Sequence, residues 1–276
     1  MSKSVKIAAI QMCSGINPNK NLAILEKLVA AATKAGATYV LTPEMSICFA
    51  GSGADLMKYA STFESNSDII KCVAIAKNNK IFLHIGSLAI KASKGKYFNR
   101  SVLFSPTGEI ITHYDKIHLF DASPPNDRPY KESNNYESGN EIITAKLPNF
   151  TLGFSICYDL RFPSLYNELC RIGAEILAIP AAFTVPTGKA HWEVLLRARA
   201  IETGSFVIAA AQGGNHENSR ATFGHSMIID PWGKIVASMN NDSEGFIIAN
   251  IDISKVDDVR KKIPTLSNKV VSFVKR

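Results

Sequence analysis

Cys157 opens the run Cys157-Tyr158-Asp159-Leu160-Arg161-Phe162-Pro163. The residues before it, 150–156, alternate apolar and small side chains and read as a buried strand, while Pro163 suits the first turn of a helix. This spacing puts a thiol at a strand-to-helix turn, where unpaired backbone N–H groups favour a thiolate and can hold an oxyanion. A lone cysteine is most often simply core, so partners have to join it. Thr42-Pro43-Glu44 closes an apolar strand at 39–41, and Lys116, in Tyr114-Asp115-Lys116-Ile117-His118-Leu119, follows a strand around 110–112. A carboxylate, an ammonium and a thiol, each just past the C-terminal end of a strand, lie on the edge where open α/β sheets bind ligands. Such a trio can carry out acyl transfer. Glu44 takes the proton from Cys157, Lys116 and the Tyr158 N–H stabilise the tetrahedral oxyanion, and Glu44 then activates water. These steps call for no metal and no organic cofactor. Taken singly, Glu44 could begin a helix and Lys116 could be a surface lysine.

The elements that must position these groups alternate between strand and helix. After a strand at 5–12, Asn17-Pro18 starts a helix that Gly36 stops, with Leu22, Leu25, Val29 and Ala32 on one face. A second helix spans 66–78. Strands at 81–90 and 98–104 form a hairpin around Lys94-Gly95-Lys96, and Pro106-Thr107-Gly108 turns into the strand that leads to Lys116. The second half repeats the scheme: a strand at 150–156, a helix at 163–172 ended by Gly173, and a strand at 175–180. A helix at 191–202 stopped by Gly204 follows, then a strand at 206–211 and a hairpin across Pro231-Trp232-Gly233. Two such halves predict an α/β protein with two packed sheets.

The 276 residues are 46% hydrophobic and 20% charged, with no Gly/Ser-rich or Pro-rich linker, so one domain over 1–276 is expected. The net charge of +7 is spread along the chain rather than gathered in a basic stripe, which argues against nucleic acid and would help collect carboxylate substrates. Arg260-Lys261-Lys262 and Lys275-Arg276 read as solvated charge. Cys13, Cys48, Cys72, Cys157 and Cys170 are odd in number and form no C-x-x-C pair, which fits a reducing compartment. The N-terminal apolar run at 7–10 is broken by Gln11 and is too short for a signal-peptide core. With no membrane-length segment, a cytoplasmic protein off the membrane is expected. His113 and His118 stand five apart, and His84, His216 and His225 are scattered, so no metal site is expected. Gly51-Ser52-Gly53 lacks the third glycine of a dinucleotide fingerprint, no P-loop occurs, and Gly153-Phe154-Ser155-Ile156-Cys157 is not a serine nucleophile elbow.

In type, order and local setting, Glu44, Lys116 and Cys157 resemble the catalytic trio of the nitrilase, or carbon-nitrogen hydrolase, superfamily. The wording Cys157-Tyr158-Asp159-Leu160-Arg161-Phe162-Pro163 is similar to its Nit amidase branch. Three further strings resemble the Nit1 subgroup: the stretch from Ala190-His191-Trp192-Glu193 to Ile201-Glu202-Thr203, Ala209-Ala210-Ala211-Gln212, and Gly224-His225-Ser226-Met227 with Asp230-Pro231-Trp232-Gly233. The resemblance covers essentially the whole chain and implies a four-layer αββα sandwich. It assigns Glu132 as a second glutamate that holds Lys116 and the substrate, in a polar segment, 121–141, long enough for an active-site flap. Arg161, four residues after the nucleophile, is expected either to clamp a substrate carboxylate or to pair with Asp159 or Glu168. Phe183, Thr187 and His191, in 182–191, resemble a substrate-facing loop, with core packing and a helix cap as the alternative roles of Phe183 and His191. The implied substrate is deaminated glutathione, cut to 2-oxoglutarate and cysteinylglycine. The rivals are an ω-amidase acting on 2-oxoglutaramate, with an N-carbamoyl hydrolase disfavoured by Tyr158, and a catalytically silent binding protein on the same fold. A homodimer is expected, with the chain end near Ile263-Pro264 and Val270-Val271-Ser272-Phe273 against a second subunit. The segment Ser123-Pro124-Pro125-Asn126-Asp127-Arg128 departs from the glycine-containing wording of that subgroup.

Overall fold

The structure, a computed structural model, describes residues 4–92, 95–268 and 270. Lys94 of the expected hairpin turn, Val271, Ser272 and Phe273 of the expected subunit contact, and Lys275-Arg276 lie outside the described residues.

The first half builds one sheet. Strand β1 (Ser4–Gln11) leads to helix α1 (Pro18–Lys34) and β2 (Tyr39–Leu41); helices α2 (Gly53–Tyr59) and α3 (Ser67–Asn79) then precede β3 (Phe82–Lys91), β4 (Tyr97–Phe104) and β5 (Ile110–Asp115). Local chemistry sets the helix starts. The Asn17 side chain accepts the N–H groups of Asn19 and Lys20 while Pro18 fills the first turn, and Asn66 caps α3 in the same way. Leu22, Leu25, Val29 and Ala32 of α1 are all buried against the sheet, as their period of three and four requires.

The connecting segment carries three short strands, β6 (Asp121–Ala122), β7 (Tyr130–Lys131) and β8 (Tyr136–Glu137). The flap read as polar loop is therefore pinned: β6 pairs with β7, and β8 pairs with β4. A second sheet follows from β9 (Thr144–Lys146), β10 (Thr151–Phe154), helix α4 (Pro163–Arg171), β11 (Ile176–Ala181), helix α5 (Val185–Thr203) and β12 (Phe206–Ala211). The chain continues through the small hairpin β13 (Gly213–Asn215) and β14 (Ala221–Phe223), then β15 (Met227–Ile229) and β16 (Ile235–Ser238). It returns to the first sheet as β17 (Gly245–Asp252) before helix α6 (Ser254–Lys262).

The sheet orders are β17-β1-β2-β3-β4-β5 and β16-β15-β12-β11-β10-β9. Each has three parallel strands at its centre, β1-β2-β3 and β10-β11-β12, flanked by antiparallel ones. The inner faces pack β1 and β2 on β12, and β3 on β11, while α1 and α3 cover one outer face and α4 and α5 the other. This is the four-layer αββα sandwich the resemblance implies, and its parallel strands are apolar because both faces are buried. Helix α5 departs from expectation by starting at Val185 rather than His191. Pro186 fits the first turn of the helix, and Gly188 lies where a Cβ would come 2.2 Å from the Phe223 ring. Among the described residues no helix is long and apolar enough to cross a membrane.

Candidate active site

Glu44 and Lys116 leave the first sheet, from the ends of β2 and β5, and Cys157 leaves the second, from the end of β10. The site thus spans the contact between the sheets. Backbone geometry turns both reactive carboxyl and thiol inward. Cys157 has φ +49° and Met45, directly after Glu44, has φ +53°, a left-handed conformation that costs a side-chain-bearing residue of order 1–3 kcal/mol. The Met45 N–H donates to Ser87 Oγ at 2.9 Å, which holds the Glu44 turn against β3. Gly86 makes that approach possible: a Cβ there would fall 2.0 Å from the Thr42 carbonyl oxygen and 2.5 Å from that of Pro43.

Glu44, Lys116 and Cys157 are only 5%, 2% and 8% exposed. Lys116 Nζ donates to Glu44 Oε1 at 3.0 Å and to Glu132 at 2.9 and 3.1 Å, so two carboxylates bracket one ammonium. Asn99 Nδ2 spans the same two acids, 2.9 Å from Glu44 and 3.1 Å from Glu132. Glu132 also accepts the Phe120 N–H at 2.6 Å, which ties the flap to the lysine. Cys157 shares one cavity with Glu44, Lys116 and Ala182, and the Glu44 charge acts directly on its thiol.

The electrostatics follow from this packing. Burial alone would raise the Glu44 pKa, but the Lys116 charge, with hydrogen bonds from Cys157, Lys116 and Asn99, outweighs it and holds the carboxyl below its ordinary value. Burial would likewise lower Lys116; the charges of Glu132 and Glu44 instead push it well above the usual lysine range. Burial first, and the Glu44 charge second, raise the Cys157 thiol well above normal. These directions favour a thiol, a carboxylate and an ammonium in the resting site.

Asp159 fixes the two sheets' contributions to each other. Fully buried, it accepts the Tyr114 hydroxyl at 2.7 Å, the His118 N–H at 3.0 Å and the Ile156 N–H at 2.8 Å, and meets His118 Nδ1 at 2.7 Å. One carboxylate thereby sets the lysine loop against the cysteine turn. On the lysine side, Arg100 grips Asp115 with two bonds of 2.7 and 2.8 Å, which steadies the end of β5.

A cavity of about 190 Å³ opens onto Cys157, Glu44, Lys116 and Glu132. It is smaller than the roughly 300–1,000 Å³ of drug-sized pockets, which suits a small metabolite. Phe49, Phe120, Tyr130 and Tyr136 give it aromatic walls, and Arg128 and Arg220 also line it.

The remaining sequence-predicted residues do not line this cavity. Arg161 pairs with neither Asp159 nor Glu168: Asp159 is filled by the bonds above, and Glu168 pairs with Arg171. The Arg161 guanidinium instead sits 3.3 Å from His191 Nδ1 and over the Phe183 and Tyr158 rings. Tyr158 packs its ring on Phe120 and Phe162. Phe183 is core against Trp192, and Thr187 is buried in the first turn of α5, bonded to Thr184 Oγ1 at 2.9 Å. His191 lies inside α5 and caps nothing, because the helix begins at Val185. Conversely, Asn99 escaped the sequence reading although a signal existed: Tyr97, Asn99 and Ser101 share the buried, period-two face of β4, and a polar residue on such a face needs a polar partner. Arg128 and Arg220 lie on loops and had no periodic signal.

The carbon-nitrogen hydrolase family model matches residues 6–261. This chain belongs to the carbon-nitrogen hydrolase family. It is thus a hydrolase of carbon-nitrogen bonds other than peptide bonds. The hydrolase is 37% identical over 274 residues to a protein named deaminated glutathione amidase from Yersinia enterocolitica, covering 98% of this chain and 95% of that one. It is 40% identical over 263 residues to a protein named probable hydrolase nit2 from Schizosaccharomyces pombe, covering 94% and 95%. The crystal structure of the C. elegans NitFhit protein superposes with a TM-score of 0.88 at 34% identity, covering 96% of this hydrolase and 65% of that chain.

Proposed function

We propose that the chain, acting as one domain, is a cysteine amidase whose substrate is deaminated glutathione. The observation that carries the chemistry is the buried Cys157 thiol lining the same cavity as a Glu44 carboxylate that the Lys116 charge, 3.0 Å away, holds below its ordinary pKa. As the sulfur attacks the amide carbon, its proton passes to Glu44, and the developing oxyanion is met by Lys116, which lines the cavity beside Cys157. Collapse of the tetrahedral adduct breaks the C–N bond, Glu44 returns the proton to the departing amine, and a thioester remains on Cys157. Water, deprotonated by Glu44, then adds to the thioester and releases the carboxylic acid, with the proton restoring the thiol. For deaminated glutathione the products are cysteinylglycine and 2-oxoglutarate. Glu132 and Asn99 act on this sequence by holding Lys116 and Glu44 in place.

The choice of substrate rests on the relatives' names and on the small cavity with charged groups among its aromatic walls. A second reading, an ω-amidase that releases ammonia from 2-oxoglutaramate, shares the acyl half, so the trio serves both. Comparing kcat/KM for the two amides decides between them. Preference for the tripeptide analogue supports the first reading, preference for 2-oxoglutaramate the second, and turnover of neither would favour a silent scaffold. We also propose a homodimer. Val194 and Ile201 of α5 and Trp232 beside Ile201 are exposed at 68%, 51% and 61%, an apolar patch suited to a second copy. A monomer mass by light scattering at micromolar concentration would sink that proposal.

A further inference from the structure

Six charged side chains line the cavity: the carboxylates Glu44 and Glu132 and the cations Lys116, Arg128, Lys131 and Arg220. Lys116 is ion-paired with both carboxylates, and Lys131 has Asp121 at 3.9 Å. Among the described residues, Arg128 and Arg220 are in no ion pair. The acids nearest them in sequence are engaged elsewhere: Asp127 accepts the Tyr130 hydroxyl and the Arg128 N–H, and Glu217 accepts the Ile16 N–H.

Aromatic rings hold both guanidinium groups. Arg220 lies 4.3 Å from the centre of the Phe49 ring and 5.5 Å from that of Tyr130, and Arg128 lies 5.3 Å from that same Tyr130 ring. Stacking occupies the faces of a guanidinium and leaves its edge N–H groups to bind. The Arg220 Nε is buried and has no acceptor among the described residues, a cost a protein seldom carries without use. Two fixed cations with free edges suit a planar carboxylate, which two parallel N–H bonds can hold.

Their place relative to the chemistry decides which carboxylate. The trio forms the buried floor, whereas Arg128 is exposed and Arg220 half-buried, both on loops at the mouth. The acyl group stays bonded to Cys157 on the floor; the amine departs through the mouth and water enters the same way. We infer that Arg128 and Arg220 form a subsite for a terminal carboxylate on the amine side of the scissile bond, so that the released amine is an amino acid or a short peptide with a free C-terminus. This deepens the amidase reading above and rests on it for catalysis.

Three substrates test it: deaminated glutathione, its C-terminal carboxamide, and 2-oxoglutaramate, which has no carboxylate on the amine side. Wild-type enzyme is expected to favour the free acid over the carboxamide by about tenfold or more in kcat/KM. Arg220→Met and Arg128→Met should collapse that ratio mainly through KM for the free acid, and should shrink the ratio of deaminated glutathione to 2-oxoglutaramate. A wild type indifferent to the carboxamide, or equal losses on all three substrates in the variants, overturns the subsite. Calorimetric binding of cysteinylglycine and cysteinylglycinamide provides a readout without turnover. If no amide is hydrolysed, the amidase reading fails. The subsite then stands if the dipeptide acid binds wild type tighter than its amide and Arg220→Met abolishes the difference, and it falls if the two bind alike.

Discussion

The floor of the cavity and its mouth are built on opposite terms. On the floor each charge has a partner: Lys116 lies between Glu44 and Glu132, Asn99 spans both acids, and Asp159 binds the adjoining loops. At the mouth, Arg128 and Arg220 are held by rings and, among the described residues, are in no ion pair. Chemistry common to all turnovers is wired in the folded chain, while selectivity is left as unsatisfied valence for the substrate to complete.

The sharpest test of the floor is its nucleophile. Cys157→Ala should lower kcat by at least about a thousandfold with an unchanged melting temperature, since the thiol alone forms the thioester. Residual activity within tenfold of wild type would remove Cys157 from the mechanism.

Next in size, Lys116→Met leaves two buried carboxylates facing each other and should cost about 3–5 kcal/mol in denaturant unfolding. Lys116 is what keeps Glu44 below its ordinary pKa, so without it that carboxyl moves up. The deficit against wild type should narrow as the pH is lowered, because the variant's acids then take up protons. A deficit flat from pH 8 to 5 would mean that the ion pairs are not what the floor relies on.

Gly86→Ala should destabilise by about 1–3 kcal/mol and reduce kcat, because a Cβ 2.0 Å from the Thr42 carbonyl oxygen must displace the Glu44 turn. Unaltered kcat would show that the turn can yield without moving the base.

The buried histidines set a gentler trend. His84, between Tyr39 and Ser101, is lowered by burial to about 3, and His216 to about 4 for the same reason. Folded, both stay neutral; unfolded, both protonate below their ordinary value of 6.5. Their contribution is therefore complete above pH 6.5 and is lost as pH falls towards 4 and 3, with a slope of up to about 1.4 kcal/mol per pH unit each. Glu44, depressed when folded, adds loss in the same direction at lower pH. Urea midpoints from pH 7 to 4 measure this, and His84→Gln should flatten the curve.

The smallest effect belongs to the mouth. Tyr130→Phe keeps the ring under both guanidinium groups and loses only the hydroxyl bond to Asp127, for about 0.5–1.5 kcal/mol of local flap stability and a few-fold change in KM. A loss as large as that from removing the arginines would mean the phenol itself touches substrate.

The floor was legible in the sequence because strand ends are. Apolar runs before Glu44 and Cys157 mark where their strands stop, whereas β5 before Lys116 is largely polar and runs to Asp115, three residues beyond the expected end. Glu132 required the family wording, since its place depends on a flap pinned by two-residue ladders too short to leave a pattern. Asn99 carried a readable signal on the buried face of β4. Arg220 reaches the cavity only because the β13–β14 hairpin of the second half folds over Phe49 of the first, a long-range contact that no local spacing encodes. Arg161 is close to Cys157 along the chain, but the helical turn between them sets its guanidinium beside His191 rather than in the cavity lining.

The Asp159 bridge has a bearing on how the protein is made. Glu44, Asn99 and Lys116 emerge from the ribosome before Cys157, and β17, the edge strand that completes the first sheet, comes last of the strands. Because one buried carboxylate joins the lysine loop to the cysteine turn, the reactive pair can come into register only after both sheets have docked. A nascent chain whose sheets have not yet docked would have its thiol without the placed base, so amide hydrolysis would report the docking of one half on the other.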